Sequence, residues 1–189
     1  DLPLHITNNG LVIKESDMKA LIEMDVDSLI FSFQGTTKEQ YEIMRNNKLY
    51  DKLKSNILKL TKMRGNKPKP FIHISNTIVD EPETDIGHFV DFWGHVVDSV
   101  DVGKTNLSLM PDQKIKSAEA VKKIRTLREQ ETIDKNYRPC NEVYQKLSVN
   151  WDGKVTCCCG DYDDFLIVGN MSDDTLYNIW NKSSELKAF

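Results

Sequence analysis

The stretch RPCNEVYQKLSVNWDGKVTCCCGDYDDFLIVGNM, Arg138 to Met171, contains every cysteine of the chain, three of them consecutive. Two short apolar-alternating runs, KLSVNW and KVTC, flank Asp152-Gly153, and a dipeptide tolerant of positive φ predicts a β-hairpin there. Such a hairpin brings Cys140, ahead of its first strand, close to Cys157, Cys158 and Cys159 at the end of its second. Adjacent cysteines rarely bond to each other, so the triplet argues against a disulfide framework. Side chains alternate along a strand, so at most two of the three can face one site. Thiolates are soft ligands that suit iron–sulfur clusters or zinc. The plainer reading is that the cysteines pack as small hydrophobes in a minor core. All four fall within twenty residues of a module poor in large apolar side chains, and this favours metal. Spacing does not separate zinc from iron–sulfur.

Upstream, the pattern changes. Strand-like runs at Leu2–Thr7, Asp27–Phe33, Pro70–Val79 and Ser99–Val102 alternate with helical stretches. The helices are expected at Ser16–Met24, after Gly35, at Leu49–Met63 and at Ile86–Val97. Leu49, Leu53, Ile57 and Leu60 form the apolar face of the third. Ile86, Phe89, Val90, Trp93 and Val97 form that of the fourth. Thr36 or Thr37 can cap the second, with Glu39 or Gln40 completing a capping box. Alternating strands and helices imply a parallel sheet with helices outside. About four βα units are present, whereas a closed eight-stranded barrel needs ~250 residues, so the fold class is α/β with a partial TIM-like barrel. Three segments are expected: the partial barrel at 1–110, a polar, helical connector at 111–136, and the small cysteine module at 137–189.

The net charge of −4 offers no basic patch for nucleic acid, and no apolar run is long enough to span a bilayer. No charged-then-apolar leader opens the chain, and the clustered thiols suit a reducing compartment, so a cytoplasmic location is expected. The opening Asp-Leu-Pro runs straight into a strand and reads as a cut rather than a beginning.

The residues of the cysteine module resemble the SPASM/twitch auxiliary-cluster domain of radical SAM enzymes. The resemblance rests on Cys140, the strand ending in Asp152-Gly153, a cysteine pair followed by Asp, then Gly169-Asn170 and the closing Leu176-x-x-Ile-Trp-Asn181. ITNNG and IFSFQGTTKEQYEIMRN resemble the Thr-Asn-Gly turn and the strand-end Ser, Gly turn and arginine-bearing helix of the same family's barrel. The resemblance implies a [4Fe-4S] auxiliary cluster held by Cys140 and Cys158, with Cys159 also possible and Cys157 not a ligand. In the parent enzyme it implies S-adenosylmethionine (SAM), a second [4Fe-4S] cluster, a peptide, protein or sugar-like substrate and a flavodoxin or ferredoxin as reductant. Asn8, Ser32, Gln34 and Asn76, at strand C-termini, become candidate cofactor-binding residues. Ser32 would face SAM, and Arg45 would pair with its carboxylate. A strand-end hydroxyl serving a turn and a surface arginine are the plainer readings of these two. No catalytic residue is assigned. His5 and His73 are read as satisfied interior groups, Gly169-Asn170 as a turn, and Trp180 as packing the last helix on the cluster lobe. The C-x3-C-x2-C loop of the family does not occur among these residues, and about two βα units of the usual barrel are expected to be missing. A non-catalytic iron–sulfur or zinc-binding module with a degenerate barrel is the alternative.

Overall fold

A computed structural model describes residues 2–79, 81–104, 121–122, 125–126, 140–161 and 163–188. The chain divides into two compact units, Asp1–Gln130 and Glu131–Phe189. Most of the expected connector lies outside the described residues.

In the first unit, four strands, β1 (His5–Asn8), β2 (Ser28–Gln34), β3 (Phe71–Ile78) and β4 (Ser99–Lys104), form one sheet in the order β1-β2-β3-β4. Every neighbouring pair is parallel. The helices α1 (Glu15–Glu23), α2 (Lys38–Arg45), α3 (Tyr50–Arg64) and α4 (Glu83–Gly94) fall between successive strands, α2 and α3 together between β2 and β3, as parallel pairing requires.

Parallel sheets covered on both faces read as continuous apolar runs. These strands alternate instead. Leu29, Phe31 and Phe33 of β2 and Ile72, Ile74 and Ile78 of β3 are buried, while the residues between them are mostly half-exposed. Apart from Ile78, the buried set joins Met18 and Ile22 of α1, Tyr41 of α2, Leu53, Ile57 and Leu60 of α3, and Phe89 and Trp93 of α4 in one core. The other face carries Ser32, Gln34, His73, Ser75, Thr77 and Asp101. One sheet thus has an oily back and a polar front.

The local signals explain the connections. Asn8 Oδ1 accepts the Gly10 N–H at 2.7 Å, and Gly10 sits at φ +67° with an added Cβ falling 2.4 Å from Leu53 Cδ1. Gly10→Ala combines left-handed strain with overpacking, and we expect it to cost about 2–4 kcal/mol in urea unfolding. A loss under ~0.5 kcal/mol would show that the Asn8–Gly10 turn relaxes freely. Thr37 is the cap of α2: its Oγ1 accepts from Gln40 N at 3.3 Å, and Gln40 Oε1 accepts from Thr37 N at 3.0 Å.

Several expectations change. Leu2 and Leu4 are exposed, because β1 is paired only with β2 among the described residues and starts at His5. Leu49 is the residue before α3 and is 38% exposed. α4 starts three residues earlier than its apolar stripe, behind Pro82, whose fixed φ suits a helix entry. Its buried line is Phe89–Trp93, continued by Val97 just beyond the helix. Val90 lies off that line and is 39% exposed. Arg64 of α3 clamps Asp98, whose carboxylate also takes the Ile72 N–H at 2.6 Å, tying α3 to the entry of β4.

In the second unit, β5 (Ser148–Val149), β6 (Lys154–Thr156) and β7 (Ile167–Asn170) form an antiparallel sheet in that order. The expected hairpin is there: Gly153 has φ +85°, and its N–H reaches Asn150 O at 3.0 Å. The sequence reading missed β7, taking Gly169-Asn170 for a turn only. Gly169 lies within the strand, and its bare Cα admits Ile179, whose Cγ1 would lie 2.8 Å from an added Cβ. Two short helices follow, α5 (Leu176–Lys182) and α6 (Ser184–Lys187), the first capped by Thr175 Oγ1. Ile179, not Trp180, packs α5 onto the sheet: it is 3% exposed, against 38% for Trp180.

Candidate functional site

The strand-end candidates separate by strand alternation. Ser32 and Gln34 share the polar face of β2 and stand opposite Ser75 and Thr77 of β3. Arg45, half-buried at the end of α2, donates from Nη2 to the Ser32 carbonyl at 3.5 Å, while its Nε is buried without a partner. Arg45 is therefore drawn in against β2 rather than extended into solvent. Asn8 shares its side of β1 with Ile6 and spends its side-chain oxygen on Gly10 N. Asn76 is on the same side of β3 as Ile74 and Ile78, and it is 1% exposed with neither amide atom partnered. It belongs to the helix-covered face, so the structure does not group it with Ser32 and Gln34.

The loop after β2 cannot offer its backbone N–H groups to an anion as it stands. Gln40 Oε1 already accepts from Thr36 N at 2.8 Å, Thr36 Oγ1 at 2.9 Å and Thr37 N at 3.0 Å. Sequence reasoning missed Ser75, Thr77 and Asp101, although the period-two pattern of FIHISNTI and SVDV marks them. His5 is exposed rather than interior, with Nδ1 2.7 Å from Ser28 Oγ.

In the second unit, strand β6 ends at Thr156, and its pairing with β7 slips between Val155 and Thr156. The slip buries both residues, at 0% and 1% exposure, where plain alternation would bury one. The cysteines follow this irregularity and diverge. Cys157 is buried with Val155, Val168 and Ile179 in the lobe's core, and burial pushes its thiol up. Cys158 is half-buried, and Cys159 and Cys140 are exposed.

The loop beyond Cys158 is fastened by Asp161. Its Oδ1 accepts from Phe165 N at 2.9 Å, and its Oδ2 accepts from Leu166 N at 2.8 Å and from Thr156 Oγ1 at 3.1 Å. Partial desolvation opposes the charge, but the Leu166 and Phe165 N–H groups and the Thr156 hydroxyl outweigh it and hold the carboxyl below its usual range. Thr156 Oγ1 also accepts from Cys158 N at 3.3 Å. The Gly160 N–H points at Cys158 Sγ, 3.4 Å away.

This donor chemistry fits an iron–sulfur cluster. Accessible thiols are the required ligands, and a backbone N–H aimed at a ligand sulfur is the kind of contact that tunes such clusters. Among the described residues, no three His, Cys, Asp or Glu side chains already form a ligand set. Also among them, no helix is long and apolar enough to cross a membrane.

Residues 140–189 match the family model for SPASM, an iron–sulfur cluster-binding domain. No curated protein matches the chain. Among solved structures, SuiB of Streptococcus suis bound to S-adenosylmethionine is similar, at TM-score 0.66 and 14% identity over 97% of this chain and 49% of that one. SuiB bound to its precursor peptide SuiA gives TM-score 0.63 and 18% identity over 97% of this chain and 48% of that one. The anSMEcpe structure with bound AdoMet gives TM-score 0.63 and 15% identity, covering 98% of this chain and 55% of the other. The chain spans about half the length of these structures. The parallel βα sheet followed by a hairpin lobe is thus the fold shared with these structures, and the lobe itself matches the SPASM iron–sulfur domain.

Proposed function

We propose that the chain is the part of a radical SAM/SPASM enzyme that walls the SAM-binding barrel and carries an auxiliary [4Fe-4S] cluster. In such an enzyme a 5′-deoxyadenosyl radical abstracts hydrogen from the substrate. The observation that carries the reading is the SPASM match over the lobe whose Cys158 loop is fastened by Asp161. Cys140, Cys158 and Cys159 are the proposed ligands, and Cys157, buried in the lobe's core with its thiol pushed up by burial, is not one. When bound, the cluster supplies one-electron transfer or a coordination point for substrate. Ser32, Gln34 and Arg45 are the residues proposed to face SAM. Asn8 and Asn76 keep weaker support, since the first is engaged in its own turn and the second is turned to the helices.

A peptide is the substrate class we favour, because SuiB, of similar fold, has been solved with a precursor peptide. A flavodoxin or ferredoxin is the proposed reductant, and a reducing, cytoplasmic compartment suits the free thiols. All four cysteines lie between 140 and 159, so the 189 residues alone contain no C-x3-C-x2-C loop. We therefore expect no 5′-deoxyadenosine when these residues are incubated with SAM and dithionite. Its formation would overturn the division of labour between this chain and a separate SAM-cleaving cluster. The second reading is an iron–sulfur module without radical chemistry. Two observations together would establish it: cluster assembly in the chain, and no SAM cleavage by the whole protein of which it is part.

A further inference from the structure

We propose that Asp161 is the positioning residue of the cysteine ligands, acting through Thr156 and Gly160 on Cys158. The proposal rests on the cluster reading above and adds to it a residue that is not itself a ligand.

Three consecutive cysteines pose a geometric problem, since a continued strand would send their thiols to alternate faces. Here the strand stops at Thr156 and the chain reverses, with Asp161 N reaching Cys158 O at 3.2 Å. One side chain holds that reversal. The Asp161 carboxylate accepts two N–H groups, Phe165 at 2.9 Å and Leu166 at 2.8 Å, from the segment leading into β7. It also accepts the hydroxyl proton of Thr156, the last residue of β6, at 3.1 Å. With its one proton committed to Asp161, the Thr156 oxygen is free to accept, and it takes the Cys158 N–H at 3.3 Å. The carboxylate therefore joins the end of one strand to the start of the next, and Cys158 hangs from that junction. The consequence at the sulfur is direct: the Gly160 N–H, inside the fastened turn, points at Cys158 Sγ. Charge-assisted bonds of this kind are stronger than neutral ones, and the carboxylate spreads its three donors over two oxygens, where an amide has one acceptor oxygen.

Residues behind metal ligands typically change metal affinity by about 10–100-fold when removed. Asp161 is not one of the buried core residues Val155, Cys157, Val168 and Ile179, and its three bonds run to the chain on either side of the turn, so its main effect should be on the loop.

The test uses the 189-residue chain, reduced and anaerobic, titrated with cobalt(II), whose thiolate charge-transfer band reports cobalt-bound cysteines. Asp161→Ala, Asp161→Asn and Val168→Ala are compared with the parent, and lobe folding is followed by the amide resonances of β6 and β7. Asp161→Ala should weaken cobalt binding by at least about tenfold and reduce the thiolate band while the β6–β7 resonances persist. Asp161→Asn, which keeps one acceptor oxygen, should recover part of the loss. Val168→Ala, which only hollows the core, should leave the band intact. The proposal is overturned if Asp161→Ala binds cobalt as the parent does, or if Val168→Ala loses the band to the same extent. A parent chain that takes up no cobalt through its thiols would instead overturn the cluster reading, and this proposal with it.

Discussion

Cys158→Ala and Cys140→Ala are expected to lose the lobe's iron, while Cys157→Ala keeps it and loses stability instead. The three consecutive thiols occupy three environments. Cys157 is 2% exposed among Val155, Val168 and Ile179, where its sulfur fills space and burial pushes its thiol up. Shortening it to alanine leaves a small void in a small core, at a cost of about 1 kcal/mol. Cys158 is half-buried with an N–H directed at its sulfur, and Cys140 is exposed ahead of the hairpin. Iron–thiolate bonding is lost outright with either ligand, and the ordering of the loop that depends on it goes as well. Iron and sulfide analysis of the reconstituted variants checks the assignment. Full iron in Cys158→Ala, with loss in Cys157→Ala, would show that the core and ligand roles are reversed.

Phe33→Ala should destabilise the sheet unit by about 3–5 kcal/mol, a large share of what holds an ordinary domain together. Phe33 is 1% exposed at the junction of three helices and the sheet. Its ring centroid lies 6.0 Å from Tyr41, 6.4 Å from Tyr50, 5.5 Å from Phe89 and 5.4 Å from Trp93. Two of these contacts are to α4 aromatics and two to aromatics of α2 and α3, so no single helix shift can refill the space. Near-UV circular dichroism in urea reports the loss. A cost below ~1.5 kcal/mol would mean that Trp93 or Tyr41 collapses into the gap.

How much of this was legible in the sequence depended on the range of the interactions. The four βα units followed from period-two and period-3.6 patterns, which are local, and all four strands and helices are present within a few residues of expectation. The Asp152-Gly153 hairpin and the Thr37–Gln40 capping box were equally local. What escaped was set by distant partners. Leu4 and Val90 carry apolar side chains that the pattern assigned to the core, yet each lies beyond the area its neighbours cover. β7 was hidden because Gly169 reads as a turn until Ile179, ten residues on, is seen against it. Trp180 looked like the obvious anchor of α5, but the helix turns Ile179 inward.

The site was legible by residue type and less so by direction. Ser32 and Gln34 share a polar face, as strand-end positions allow, while Asn76, two residues short of the end of β3, falls on the opposite side. One residue of register decides this, and sequence position alone does not fix it. At the cysteines, alternation was the wrong guide, because the pairing slip at Val155 and Thr156 ends the strand before the triplet begins. The distinct burial of Cys157 follows from that slip and from the Asp161 fastening, neither of which a spacing rule contains.

The most direct test of the cluster lobe is a Mössbauer spectrum of the 189-residue chain reconstituted anaerobically with enriched iron and sulfide, alongside Cys140→Ala. The account predicts the signal of a thiolate-bound [4Fe-4S] cluster in the parent chain and its loss in Cys140→Ala. Mononuclear iron only, or a cluster signal unchanged in Cys140→Ala, would contradict it.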